Sequence, residues 1–181
     1  MSVARLLVVA GLAREARLAV VPDAASIVSG GDPQLLARRL AAFDPAGVDG
    51  VLSFGLAGGL DPGLRPGDLV VGTAAIAEQA RFDASDRLTD QLRKAIRSAG
   101  LPASDGVFAG VDAPVLTPAA KAALRAKSGA RAVDMESHVA GRWAADHGLP
   151  FAILRAVGDP AERALPALAA LALTPDGEVA L

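Results

Sequence analysis

The sequence predicts an α/β fold built on a mixed, parallel-rich sheet. Apolar runs of strand length alternate with stretches of helical period from one end of the chain to the other. The chain is 52% hydrophobic but only 3% aromatic, so its core must be assembled from Ala, Leu and Val. At 181 residues, with no repeat or low-complexity linker, it reads as a single domain over 1–181.

The elements follow in order. Leu6 to Ala10 is an apolar first strand. Asp32-Pro33, an N-cap with proline at the first helical position, opens a helix over Leu35 to Phe43 that stops before Pro45. Val51 to Phe54 is a buried strand. Two turn clusters, Asp61-Pro62-Gly63 and Arg65-Pro66-Gly67-Asp68, then deliver Leu69 to Gly72 as a further strand. So short a link makes that strand antiparallel to its neighbour and the sheet mixed. Leu88, Leu92, Ala95, Ile96 and Ala99, at spacings of threes and fours, make Asp86 to Ala99 an amphipathic helix closed by Gly100 and Pro102. Val107 and Phe108 begin a short strand, and Thr117-Pro118 caps a helix to Lys127. Val139 to His147 is a helix ended by Gly148 and Pro150, and Phe151 to Val157 is an apolar strand interrupted only by Arg155.

Composition excludes several functions. A net charge of −2 gives no basic footprint for nucleic acid. The absence of cysteine excludes disulfides and thiolate metal sites, and points to a reducing, cytoplasmic setting. The run Leu6 to Ala10 is too brief for a signal-peptide core, and Leu165 to Leu173 is too brief for a membrane span, so the latter reads as a helix packed on the domain. His138 and His147 are isolated, without metal-ligand spacing, and read as surface residues, with no metal or cofactor called for.

The chemistry lies where polar residues interrupt strand ends, because ligands of open α/β sheets bind outside the carboxyl ends of the strands. The first strand runs into Gly11-Leu12-Ala13-Arg14-Glu15, and the central one into the turn Gly55-Leu56-Ala57-Gly58-Gly59. The last carries Arg155 and stops at Gly158-Asp159. Parallel strands would gather two acids, a glycine-rich turn and an arginine on one edge. Taken singly, each has a plainer explanation: a tight strand exit for the glycines, a solvated helix start for Glu15 between Arg14 and Arg17, a helix cap for Asp159 before Pro160.

Asp134-Met135-Glu136-Ser137, then Gly148-Leu149-Pro150-Phe151 and Arg155-Ala156-Val157-Gly158-Asp159, resemble the signature of nucleoside phosphorylases and methylthioadenosine/adenosylhomocysteine nucleosidases. Phe54 to Leu60, followed by Pro66-Gly67-Asp68-Leu69-Val70-Val71, resembles that superfamily's central block. The length, Ser29-Gly30-Gly31-Asp32 and the stretch from His138 to Pro166 look most like the hopanoid-associated phosphorylases. The resemblance implies a three-layer α/β/α sandwich, phosphorylase/hydrolase-like, that cleaves the N-glycosidic bond of an adenosine-like substrate, with adenosylhopane as a candidate. The segment Leu165 to Leu173 would then have a second use, as part of a greasy surface for a lipid tail.

It also implies roles. Asp159 matches the acid that protonates N7 of the departing adenine, given a dry pocket that keeps it protonated. Glu136 matches the carboxylate that holds the ribose hydroxyls, Met135 packs on the sugar, and Gly55, Ala57 and Gly58 line the substrate site. Arg155 matches an arginine near the attacking water or phosphate, and Glu15 approximates the acid at the end of the first strand. Arg14, Gly30 and Arg155, with Arg17 and the serine-glycine turn, offer positive charge and N–H donors to a phosphate, which favours phosphorolysis to a ribose 1-phosphate, phosphate being the co-substrate. A hydrolytic nucleosidase and a non-catalytic nucleoside- or lipid-binding protein remain the alternatives. Leu56 and Gly158 stand where the nucleosidases usually carry serine, the second leaving Asp159 on a more flexible backbone. The end at Thr174 to Leu181 looks abbreviated against the family's long final helix, and a homo-oligomer, a dimer, is expected to complete the pocket.

Overall fold

A computed structural model of the chain describes residues 5–19 and 23–165. Most of Leu165 to Leu173, with Thr174 to Leu181, therefore lies outside the described residues. Strand β1 (Leu6–Ala10) is buried along nearly its whole length, as an apolar run must be when helices cover both faces of a sheet. It leads into α1 (Ala13–Leu18) and the short β2 (Ala25–Val28), which pairs parallel to β1. Asp32 caps α2 (Pro33–Ala41), accepting from the N–H groups of Gln34 and Leu35 at 2.8 and 3.0 Å. The remaining elements are β3 (Gly50–Gly59), β4 (Leu69–Ala77), β5 (Ala80–Asp83), α3 (Asp86–Ser98), β6 (Ala103–Gly110), α4 (Pro118–Ser128), β7 (Ala132–Asp134), α5 (Ser137–Asp146) and β8 (Phe151–Asp159).

The period-2 alternation of strands separates the layers. Val51, Val157, Phe151 and Ile153 face the cluster that contains Trp143 of α5 and Leu36 of α2. Leu52 and Ala152 point the other way, against Leu88 of α3. The fold is the α/β/α arrangement with a mixed central sheet that the resemblance implied. β1, β3 and β8 run parallel, with Val9 beside Ser53 and Gly55 beside Arg155. β8 also pairs antiparallel with β4, Val70 standing opposite Arg155. Because β4 continues to β6, β6 to β7, and β7 back to the end of β3, these four strands and β8 close a ring.

Three sequence expectations change here. The block Gly55 to Gly59 is not a turn after the central strand but its second half, hydrogen-bonded to β8 with a register shift between Ala57 and Gly58. β4 does run antiparallel to β3 in direction, but the two do not pair, since β8 lies between them. Val107 and Phe108 lie within β6 rather than at its start. No helix among the described residues is long and apolar enough to cross a membrane.

Candidate active site

The carboxyl ends of β1, β3 and β8 open into a cavity of about 460 Å³, lined by Glu15, Met135, Glu136, Arg155 and Asp159 among others. Its volume falls within the range of about 300–1,000 Å³ typical of small-molecule sites.

Glu15, in the first turn of α1, turns its carboxylate back on the chain that precedes it. Oε2 accepts from the N–H groups of Gly11 and Leu12 at 2.9 and 2.8 Å, and Oε1 from the N–H of Leu56 at 2.9 Å. One side chain thus ties the exit of β1 to β3. Gly55 makes room for it: a Cβ there would lie 2.6 Å from the carboxylate carbon, and the residue's φ of +145° is one that glycine alone adopts freely. Gly55 backs the acid from behind and does not itself line the cavity.

Arg155 is buried with three carboxylates near it. Nη1 stands 3.2 Å from Glu136 Oε2 and donates to the carbonyl of Leu56 at 3.1 Å, while Nη2 donates to Ser53 Oγ at 2.7 Å. Nε faces Asp134 Oδ2 at 3.0 Å, off the N–H axis, so that contact is an ion pair without a hydrogen bond. Ser53, spending its oxygen on Arg155, donates its hydroxyl to Ser137 Oγ at 2.9 Å, and Ser137 donates in turn to Asp134. The Ser137 backbone N–H completes Asp134 at 3.0 Å. Asp134 is thus committed to Ser137 and the guanidinium, and both it and Glu136 contribute to the cavity lining. Ser29 donates to Glu136 Oε1 at 2.8 Å.

Burial pushes the Glu136 carboxyl above its ordinary value, and the charges of Asp134 and Glu15 push the same way, against the opposing pull of Arg155 and the Ser29 hydrogen bond. For Arg155, burial acts to lower the pKa, but Asp134, Glu136 and Glu15 outweigh it and the net shift is upward. The guanidinium stays charged.

Asp159 ends β8 at the cavity wall, and its Oδ2 is bound by the ammonium of Lys121 from α4. Gly158 therefore does not leave this acid loosely held. The same Nζ donates to the carbonyls of Pro160 and Arg163 at 2.7 and 2.9 Å. Across from the acids the wall is apolar, formed by Val111, Pro114, Val115 and Leu165.

The structure brings together Glu15, Ala57, Gly58, Met135, Glu136, Arg155 and Asp159 around one cavity. It leaves Arg14 exposed on α1, away from the lining, and Gly30 is likewise outside it, its N–H donating to the Gly11 carbonyl at 2.9 Å; Gly31 is the turn residue that reaches the wall. The phosphate cradle expected from Arg14, Gly30 and Arg155 is not assembled, since each nitrogen of Arg155 already faces a protein oxygen. His138 is not a surface residue: its side chain is 12% exposed, bonds Asp112 at 3.0 Å and presses on Gly110, where a Cβ would meet it at 2.3 Å. Sequence reasoning passed over Ser53 and Lys121. Each carries a signal, a polar residue in the apolar run of β3 and a charge on the inward stripe that Lys121 shares with Leu124.

A model of the phosphorylase superfamily matches residues 31–173. No curated protein matches the chain. Among solved structures, a methylthioadenosine/S-adenosylhomocysteine nucleosidase from Neisseria meningitidis superposes with a TM-score of 0.79 at 22% identity, 87% of each chain being covered. The corresponding Campylobacter jejuni nucleosidase gives 0.77 at 15% identity, over 90% of this chain and 88% of its own. The native futalosine hydrolase of Helicobacter pylori gives 0.76 at 17%, over 88% and 89%. At these identities the likeness is one of fold.

Proposed function

Because the chain belongs to the phosphorylase superfamily, we propose that it breaks the N-glycosidic bond of an adenosine-like nucleoside, with water as the acceptor. The observation that carries this reading is the grouping of Glu15, Glu136, Arg155 and Asp159 around one nucleoside-sized cavity. Breaking the bond builds positive charge at the anomeric carbon and negative charge on the base. Glu136, anchored by Ser29 and Arg155, accepts the ribose hydroxyls, and its charge faces the developing cation. Asp159 gives a proton to N7, so that the C1′–N9 electron pair leaves on a neutral base. Glu15, held in place by three backbone N–H groups, takes a proton from the attacking water as oxygen bonds to C1′.

Water is favoured over phosphate by electrostatics. Glu15, Asp134, Glu136 and Asp159 face or back the cavity, and Arg155, the one cationic side chain in its lining among the described residues, is already committed to Asp134 and Glu136. A phosphate dianion would meet carboxylates without a free cation to bind it. The nucleosidase and hydrolase character of the solved neighbours supports the same acceptor. The apolar wall supports a substrate with an apolar 5′ substituent, from a methylthio group to the polycyclic tail of adenosylhopane.

The test is release of free adenine from adenosine, 5′-methylthioadenosine and adenosylhopane, with and without phosphate, together with identification of the sugar. Phosphate-independent release of a free sugar is expected. A sugar 1-phosphate formed only with phosphate present would overturn hydrolysis, and no release from any substrate would overturn catalysis in favour of a binding protein.

A further inference from the structure

Lys121 is a lysine whose side chain is 1% exposed, on a helix that contributes no residue to the cavity lining. Its three nearest polar partners are all acceptors: a carboxylate oxygen of Asp159 and the carbonyls of Pro160 and Arg163. A neutral amine has two N–H groups and a lone pair, and would face one of these oxygens lone pair to lone pair; an ammonium satisfies all three. The buried group is therefore a cation. Burying an ammonium is a poor way to gain stability, since a well-packed apolar residue does as well or better. Its presence beside Asp159 calls for a use in the reaction.

The geometry supplies one. Lys121 binds Asp159 by Oδ2 alone, and its other two bonds fix the five-residue stretch that begins at Asp159. One carboxylate oxygen is pinned and Oδ1 is left for the cavity. From this we infer that Lys121 is a positioning residue for leaving-group protonation: it holds Oδ1 of Asp159 toward N7 and stabilises the carboxylate that forms when the proton departs. In that step the Oδ1–H bond breaks and an N7–H bond forms, the C1′–N9 pair goes to the base, and the new Asp159 carboxylate lies against an ammonium already in place. No reorganisation is needed as the charge appears, which is the condition under which a fixed charge lowers a barrier. Lys121 neither gives up its own proton nor touches substrate.

The inference rests on the glycosidic-cleavage reading and is tested so that the two can be told apart. Wild type, Lys121→Met, Lys121→Gln, Asp159→Asn and the double variant Lys121→Met/Asp159→Asn are compared on 5′-methylthioadenosine and on 4-nitrophenyl β-D-riboside, whose phenolate departs without being protonated. With 5′-methylthioadenosine, each Lys121 variant is expected to lose kcat by about 100-fold, the low end of general acid contributions, with KM within about 3-fold. Its rate on the nitrophenyl riboside should stay within about 3-fold of wild type. Adding Lys121→Met to Asp159→Asn should change nothing further, because residues acting as a unit are not additive. Equal losses on both substrates, additive losses in the double variant, or unaltered kcat would overturn the inference. So would failure of both single variants to fold by circular dichroism, which would assign Lys121 to the fold. Wild type inactive on both substrates would remove the cleavage reading and this inference together.

Discussion

Arg155 Nη1 and Glu136 Oε2 stand 3.2 Å apart, with both side chains shut away from solvent. The pair joins β8 to the residue that precedes α5, and it sets what each partner can do. Glu136 is kept as an oriented acceptor, and Arg155 is withdrawn from service as an anion site.

Removing the cation should therefore damage the fold before it damages catalysis. Arg155→Met leaves Asp134 and Glu136 buried without their counter-ion, and stability should fall by about 3–5 kcal/mol, the usual cost of breaking a buried pair from one side. Urea unfolding measures this; a loss under about 1 kcal/mol would show that water replaces the guanidinium.

Glu136 gives a pH dependence with a definite sign. Its folded pKa lies above the ordinary 4.5, so between the unfolded and folded values the native state holds a proton that the unfolded chain has already released. That contribution to stability is complete below the unfolded value and is lost as pH rises through the folded one. Melting temperatures measured from pH 4 upward should fall in wild type relative to Glu136→Gln, which cannot titrate. Parallel curves for the two proteins would contradict the assignment.

Gly55 should tolerate no side chain. Gly55→Ala would set a methyl 2.6 Å from the Glu15 carboxylate at a φ of +145°, so the acid must swing away from the N–H of Leu56. We expect a loss of more than about 1 kcal/mol in stability and of at least about 100-fold in kcat. Adenine release by a folded Gly55→Ala protein at wild-type rate would remove Glu15 from the reaction.

Asp159→Asn separates acid from binder. As the proposed proton donor, Asp159 should be worth about 10²–10⁴-fold in kcat with little change in substrate affinity. The check is single-turnover adenine release alongside calorimetric binding of 5′-methylthioadenosine; undiminished turnover would send the search for the proton elsewhere.

The parts of this molecule that were legible in the sequence are those whose cause is local. Asp32-Pro33 and Thr117-Pro118 start helices because their caps and prolines act within one turn, and β1 and β8 read as strands because their runs are apolar, that of β8 broken only by Arg155 before Gly158-Asp159. β2, β5 and β7, with 4, 4 and 3 residues, carry too little pattern and exist because partners on the sheet hold them. The glycines of β3 looked like an exit from the strand. They stay in it because β8 and β7 pair with them, and at Gly55 the missing side chain leaves the space that the carboxylate of Glu15, 40 residues away in sequence, occupies. Glu136, Arg155 and Asp159 were found through their resemblance to a known motif. Lys121 was missed because a lysine on an amphipathic helix reads as solvated, and only the packing of α4 against the exit of β8 turns it inward.

The double pairing of β8 separates two kinds of variability in this molecule. Over residues 153–156 the strand has a neighbour on each edge, β3 on one and β4 on the other, so the backbone beneath Arg155 has almost no room to drift. The apolar wall has no such bracing: Val111, Pro114, Val115 and Leu165 come from the connections that follow β6 and β8. Substitutions there can reshape what is admitted at the 5′ end while the reacting groups stay in register. A lineage carrying this fold can therefore change its diet without rebuilding its teeth.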